Sequence, residues 1–263
     1  MNVISLSPVD LSIAAILVLL VAFLQWQMRL GNTRALLIAA SRTVVQLLLL
    51  GLVLKLVFAA NNLLWIGLMT LVMLLAAGRE VMARQKRRFT GNWGFALGTT
   101  SMFISAFSVT LLALLVIVQP EPWYLPRYSI PLLGMLLGNT LNGITLGLDN
   151  LTRNAWEQRH IIDGRLSLGE TWSSAISDIR RDSIRVGMIP IINAMSVAGL
   201  VSLPGMMTGQ ILAGTPPVEA VKYQILIMFL VAAGTGMGTI TAVLIGCRRM
   251  FDDRERLRLD RLH

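Results

Sequence analysis

Cysteine, histidine and charge are all scarce in this sequence. Cys247 is the only cysteine, and a single cysteine can form neither an intramolecular disulfide nor a cysteine-rich metal site. His160 and His263 are the only histidines, and neither stands in a metal-ligand pattern. Charged residues make up 14% of the chain, about half of what is usual for a soluble domain. We therefore predict no enzymatic activity and no cofactor, and the sequence leaves any metal ligands unidentified.

Apolar residues are abundant instead, at 55% of the 263 residues. Apolar runs long enough to cross roughly 30 Å of hydrocarbon recur along the chain, and their lengths suit helices better than barrel strands. The predicted fold class is all-α, a polytopic transmembrane helical bundle that forms a single membrane domain over residues 1–263.

The bundle is predicted to have about seven spans. The third span follows the second after only Asn61 and Asn62, which indicates a helical hairpin, and the sixth is too long for one plain helix. The predicted spans are Leu11–Met28, Thr43–Ala60, Leu63–Ala77, Gly94–Val118, Ile130–Leu148, Ile184–Gly214 and Tyr223–Gly246.

Basic residues are distributed very unevenly about these spans. With seven spans, all but three of the 23 Lys and Arg fall on one side of the membrane, the exceptions being Lys55, Arg127 and Lys222. The positive-inside rule then places the N-terminus outside, and it places the loop 149–190 and the basic tail 247–263 in the cytoplasm. The net charge of +9 is thus explained by topology and by attraction to anionic membrane lipid, and nucleic acid is not a predicted partner.

The loop 149–190 is the one large polar insertion. Ser167 and Glu170 have the spacing of a capping box, which predicts a helix that begins near Leu168. Trp172, Ile176 and Ile179 then recur at i, i+4 and i+7 and form an apolar stripe. An exposed stripe of this kind suits the groove of a partner protein; the alternative is a helix lying flat on lipid headgroups.

The same loop contains an imperfect phosphate-binding motif. Gly164 to Thr171 reads GRLSLGET, with glycines at the spacing of a nucleotide-binding loop but with Glu170 at the lysine position. A carboxylate there would repel the phosphates. The chain is therefore predicted not to bind ATP itself.

Polar residues inside the spans are costly in lipid and must face protein, water or substrate. They are Arg42 and Gln46 in the second span, Asn139 and Asn142 in the fifth, and Asn193 in the sixth. These are candidate pathway residues. The alternatives are that Arg42 only extends to the membrane surface and that the asparagines only hydrogen bond between helices.

Helix-breaking residues interrupt the sixth span between Gly199 and Pro217. Pro204 removes a backbone donor and Gly205 relaxes the backbone. Broken backbone at membrane depth survives only when it is buried in protein or lines a wet cavity. We predict either a re-entrant segment or a kinked helix, and in both cases a hinge.

Four stretches resemble the FetB (YbbM, UPF0014) family of ABC-transporter permeases, which includes the plant aluminium-sensitivity membrane proteins. The stretches read SRTVVQLLLLG, PLLGMLLGN, LSLGETWSSAISDIRRDSIRVGMIP and GLVSLPGMMTGQILAGTPPVEAVKYQI. Membership implies a permease subunit in the bacterial inner membrane. It would form a homodimer, pair with a separate ATPase subunit and export iron. UDP-glucose is an alternative substrate, and an ion-gradient-driven secondary transporter is the competing class.

The resemblance also implies roles for particular residues. Coupling to the ATPase would involve Leu166, Ser167, Leu168, Gly169, Arg181, Asp182 and Arg185, together with the apolar stripe. The permease core would contain Gly138, Asn139, Ser202, Pro204, Gly205, Met206, Met207 and Gly209.

Overall fold

The computed structural model describes residues 7–60 and 62–262, so Asn61 and His263 lie outside the described residues. Within that part of the chain the regular structure is helical, with isolated β-bridges but no strand. The α-helices are α1 (Pro8–Gln27), α2 (Thr33–Ala60), α3 (Leu63–Arg84), α4 (Trp93–Val118, with two π-helical stretches), α5 (Pro126–Glu157), α6 (Arg159–Ser167), α7 (Trp172–Ala175), α8 (Ser177–Val197), α9 (Gly205–Leu212) and α10 (Pro217–Arg249).

Six of the described helices, α1 to α5 and α10, are long and apolar enough to cross a membrane. The prediction of an all-α membrane bundle is confirmed. Several predicted boundaries are wrong: α2 begins at Thr33 rather than Thr43, α3 ends at Arg84 rather than Ala77, and α5 ends at Glu157 rather than Leu148. Charged residues extend these helices beyond their apolar runs, since ion pairs and solvent near a helix end satisfy the charges.

Helix α5 forms the centre of the bundle and packs against α3, α4, α8 and α10. The contact with α8 and α10 is very close. A Cβ added at Gly187 would lie 2.6 Å from the carbonyl oxygen of Gly143, and one at Gly143 would lie 2.7 Å from the hydroxyl oxygen of Thr239. Only glycine permits backbones to approach this closely, so these positions fix the helices around α5.

Helices α1 and α2 are peripheral by comparison. They pack mainly against each other, and the apolar window of α2 has no buried residue. Most of their apolar surface is therefore open to lipid or to another chain.

The predicted interruption of the sixth span is confirmed. Helix α8 ends at Val197, residues 198–204 are not helical, and α9 begins at Gly205 directly after Pro204. Gly199 has a φ of +81°, which a residue with a side chain rarely adopts. Helix α9 packs against α10. The predicted sixth span is thus divided into two helices of different length.

The prediction of a helix that begins near Leu168 is wrong. Helix α6 ends at Ser167, and Gly169, with a φ of +92°, terminates it. The Glu170 N–H donates to the Arg165 carbonyl at 3.1 Å, which is the bond of a glycine-based helix C-cap. The next helix starts at Trp172, where the Thr171 side chain is the N-cap.

The apolar stripe is not exposed as predicted. Ile176 and Ile179 are buried and Trp172 is half-buried, with its ring 5.8 Å from that of Phe251. Ile176 and Ile179 belong to the main core cluster, and Trp172 is covered by the C-terminal tail, residues 250–262, which folds back over it. Its Glu255 carboxylate accepts a hydrogen bond from the Trp172 N–H at 3.1 Å.

Candidate functional site

Helix α5 leaves a single stripe of its surface open. Met135 is half-buried, and Gly138, Asn139, Asn142 and Leu146 are exposed, at spacings of three or four residues that place them on one face. The residues between them are buried. A central helix that is otherwise enclosed thus presents one open face that carries the amides of Asn139 and Asn142, and we call it the polar face.

The two flanks of this face are formed by different helices. On one side α8 packs through Gly187 against Gly143, next to Asn142. On the other side Arg84 of α3 reaches Asn142, with its Nη1 donating to the Asn142 Oδ1 at 3.3 Å. We name the open face of α5 together with Arg42, Gln46, Glu80 and Arg84 the polar groove.

Charged side chains join three helices within the polar groove. The Arg42 guanidinium on α2 donates to the Glu80 carboxylate on α3. The other oxygen of Glu80 lies 3.5 Å from the Arg84 Nε. Arg42, Gln46, Glu80 and Arg84 line one cavity of 520 Å³. The Arg42 side chain is therefore paired within the protein as well as half exposed. Arg79 lines the same cavity, so three cations against one anion make this part of the groove net positive.

The polar face of α5 also reaches the interrupted span. Met135 lines a cavity of 270 Å³ together with Met206 and Gln210 of α9 and Tyr128 of α5. An added Cβ at Gly138 would have no atom within 4 Å, so the surface between Met135 and Asn142 is open. The face thus runs from the charged end of the groove to α9.

The remaining predicted pathway residues are spread over α8 and α9. Asn193 is exposed near the end of α8, and Ser202 is exposed in the non-helical segment. Met207 is buried and lines a separate, mostly apolar cavity of 540 Å³ with Gln224. Pro204, Gly205 and Gly209 lie at the start and on the exposed side of α9. The structure brings Arg42, Gln46 and Asn142 together in the polar groove. The predicted pathway residues of α8, α9 and the segment between them lie outside it.

The predicted coupling residues fall into an exposed and an internal group. Leu168 is 87% exposed in the turn Leu168–Thr171, which we name the tip loop. Arg181 and Arg185 are exposed on α8, and Asp182 accepts a hydrogen bond from the Asn150 amide at 2.9 Å. Leu166 packs on the core, as do the three stripe residues. The exposed surface here is thus the tip loop and the first turns of α8.

The C-terminal tail holds the tip loop region in place. Asp252 accepts backbone hydrogen bonds from Arg256 at 2.9 Å and Arg254 at 3.0 Å, and these lower the pKa of its carboxyl to about 2. The Thr90 N–H donates to the Arg261 carbonyl at 2.8 Å. The tail therefore connects the α3–α4 turn, the end of α10 and the start of α7.

Sequence reasoning missed Glu80, Arg84 and Glu255. Glu80 and Arg84 lie beyond the predicted third span, Leu63–Ala77, although their i, i+4 spacing and the apolar Val81 and Met82 between them are typical of a continuing helix. No local pattern could have indicated that Glu255 reaches Trp172, because this contact joins residues far apart in the chain.

Among the described residues, no group of three or more His, Cys, Asp or Glu lies together as a metal site would require. A metal held by side chains of those types therefore has no ready site in this part of the chain.

Comparison with known proteins gives one family and several relatives. The model of the uncharacterised protein family UPF0014 matches residues 8–251. A UPF0014 membrane protein of Synechocystis sp. is 39% identical, over 90% of each chain. The UPF0014 membrane protein YjkA of Bacillus subtilis is 33% identical over 95% of this chain and 97% of its own. The probable iron export permease protein FetB of Escherichia coli is 31% identical over 98% and 97%. No solved structure matches the chain.

Proposed function

The chain belongs to the UPF0014 family of membrane proteins, and on that premise we propose that it is the membrane-spanning permease subunit of an ATP-driven transporter. The relative from Escherichia coli is named a probable iron export permease. A permease must offer polar solute a route through apolar surroundings. The observation that carries the proposal is the polar face of α5, which remains open in a helix otherwise enclosed by the bundle.

Two copies of the chain complete the route in this proposal. The polar groove is open on one side in a single chain, and a second copy facing it would enclose the solute between two α5 helices. The exposed surfaces of α1 and α2 would meet the partner copy or lipid. The division between α8 and α9 supplies the hinge at the far end of the α5 face.

ATP is hydrolysed by a separate ATPase subunit in this proposal. Glu170 stands where a phosphate-binding loop needs lysine, so the chain has no such loop of its own there. The tip loop is the element that contacts the ATPase, with Leu168 as its apolar anchor. In this proposal the tip loop and tail lie in the cytoplasm of a bacterium and the N-terminus lies outside its plasma membrane.

The transported solute is proposed to be iron, by analogy with the relative from Escherichia coli. The net positive charge of Arg42, Glu80 and Arg84 disfavours a bare cation at that point of the groove. Iron would therefore pass this point with anionic ligands. The same charge favours an anionic solute such as UDP-glucose, which is the second candidate.

Transport into proteoliposomes tests the role of the groove. Asn142→Leu removes an amide from the open face, and we expect at least a tenfold loss of ATP-dependent flux of labelled iron or UDP-glucose when the ATPase subunit is present. Ser12→Ala is the matched control, because the Ser12 hydroxyl is exposed on α1 and bonds only to its own helix. Equal flux in the Asn142 variant and the control would contradict a transport route along α5.

A further inference from the structure

We infer that a pocket at the basic end of the bundle binds the phosphate headgroup of an anionic phospholipid. The pocket has a volume of 550 Å³ and lies between the start of α4, the end of α10 and the C-terminal tail. Its walls include Trp93, Leu244, Arg248, Arg249 and Arg261. The site is independent of the transported solute.

The pocket contains two arginines that have no carboxylate partner. Among the described residues, neither Arg249 nor Arg261 lies within ion-pairing distance of an acid. Arg261 uses one nitrogen to donate to the carbonyls of Arg249 and Phe251, at 2.8 and 3.2 Å, which leaves its other N–H groups free for an anion. An anionic ligand would balance these two charges.

The two carboxylates that also line the pocket are already paired. Asp253 lies 3.2 Å from Arg248. Asp252 lies 2.8 Å from Arg256, which is not among the residues that line the pocket, and it accepts two backbone N–H groups as well. Repulsion of an incoming phosphate by these acids is therefore largely offset.

The depth of the pocket fits a lipid headgroup. Trp93 begins the span α4 and Arg249 ends the span α10, so both residues stand at one membrane boundary. The guanidinium carbon of Arg249 lies 4.3 Å from the centre of the Trp93 ring, and this stacking orients the cation. Tryptophan at a span end is typical of the headgroup level.

An apolar surface continues from the pocket toward the membrane interior. Leu244 is 46% exposed and lies more than one helical turn before Arg249 on α10. It provides a wall along which an acyl chain can lie while the phosphate contacts the arginines. A soluble phosphate has no use for such a wall, which favours a phospholipid as the ligand.

Lipid binding to the purified full-length protein tests the inference. Native mass spectrometry in detergent would count bound phosphatidylglycerol and compare it with phosphatidylcholine. We expect phosphatidylglycerol to bind, and Arg249→Gln to weaken it about fivefold, since each arginine near an anionic surface contributes about that factor. Arg254→Gln is the matched control, because it removes one positive charge from the same tail outside the pocket. Arg249→Lys keeps the charge and should bind within twofold of the native protein.

Three results would overturn the inference. These are equal binding of the two lipids, equal weakening by Arg249→Gln and Arg254→Gln, and displacement of phosphatidylglycerol by millimolar inorganic phosphate, which would assign the pocket to a soluble anion. A thermal unfolding curve for each variant shows that it is folded. If Arg249→Gln is not folded, two comparisons still decide the outcome. One is the binding of phosphatidylglycerol to Arg249→Lys and to the native protein, and the other is the binding of the two lipids to the native protein.

Discussion

A single ion pair ties the peripheral helix α2 to the bundle near the polar groove. Arg42 and Glu80 meet there, and Glu80 is the acid that balances Arg42 and Arg84. An unpaired arginine close to the membrane interior is costly, so each member of the pair depends on the other. At the scale of residues, this pair is the feature most open to direct test.

Charge exchange at this pair gives a clear prediction. Glu80→Arg alone should reduce transport by tenfold or more, because it removes the acid and places four cations around one cavity of the groove. The double variant Arg42→Glu with Glu80→Arg should recover much of the loss, since opposite charges again face each other. Flux into proteoliposomes is the measurement. If the double variant transports no faster than Glu80→Arg alone, the ion pair with Arg42 is not the reason that transport needs Glu80.

Glu80 also bears on the competing mechanism. A secondary transporter needs an ionisable residue in its route, and the mid-span regions of the sequence are nearly free of acids. The extension of α3 to Arg84 brings Glu80 into the groove, where it could carry a coupling proton or ion. An ion-coupled mechanism would therefore depend on Glu80, although this carboxylate is already paired with Arg42 and Arg84.

At the scale of elements, the C-terminal tail is folded against the bundle and is not a loose basic segment. It is anchored by Asp252, whose carboxyl pKa is lowered to about 2, chiefly by the backbone hydrogen bond from Arg256. A carboxyl with a lowered pKa stabilises the fold fully above its unfolded value of 3.8. That stabilisation is lost as the pH falls from about 4 toward 2.

Hydrogen exchange of the tail amides checks this anchor. The exchange of the Arg254 and Arg256 amides, corrected for its intrinsic pH dependence, should rise below about pH 4. Asp252→Asn should raise it already at pH 7. Asp253→Asn is the control, because Asp253 pairs only with Arg248 and should leave these amides protected. Equal exchange in the two variants would show that Asp252 does not hold the tail.

The tip loop is the element proposed to meet the ATPase. Leu168→Asp should abolish co-purification of the ATPase subunit, because it places a charge at an apolar contact. Leu200→Asp is matched to it, since Leu200 is 89% exposed and stands in the non-helical segment after α8. Pull-down from membranes containing both subunits is the measurement. Loss of the ATPase in both variants, or in neither, would contradict docking at the tip loop.

The elements differ in how far the sequence predicted them. Apolar runs and helix breakers are local signals, so the spans and the interruption near Pro204 could be predicted. The burial of Trp172, Ile176 and Ile179 could not be predicted, because an apolar stripe looks the same in sequence whether a partner protein or the rest of the same chain covers it. Glu80 was missed for a related reason: a charged helix end resembles a loop until its partner Arg42 is found across the bundle.

At the scale of the whole molecule, we propose that one chain forms half of the transport route. Helix α5 is enclosed by α3, α4, α8 and α10 except along its polar face, and α1 and α2 add little to that core. In a pair of chains joined at this face, the second copy would cover the surface that is exposed in one chain. The two tip loops would then contact two ATPase subunits. Movement of the tip loop can reach α5 through α8, because Gly187 and Gly143 are in direct contact.

The source of energy is the most direct test of this account. The chain and the proposed ATPase subunit are placed together in vesicles, and solute flux is measured with ATP and magnesium, with a proton gradient alone and with a sodium gradient alone. We predict flux with ATP only, and none when the ATPase is omitted. Flux driven by either ion gradient in vesicles that contain this chain alone would contradict the account.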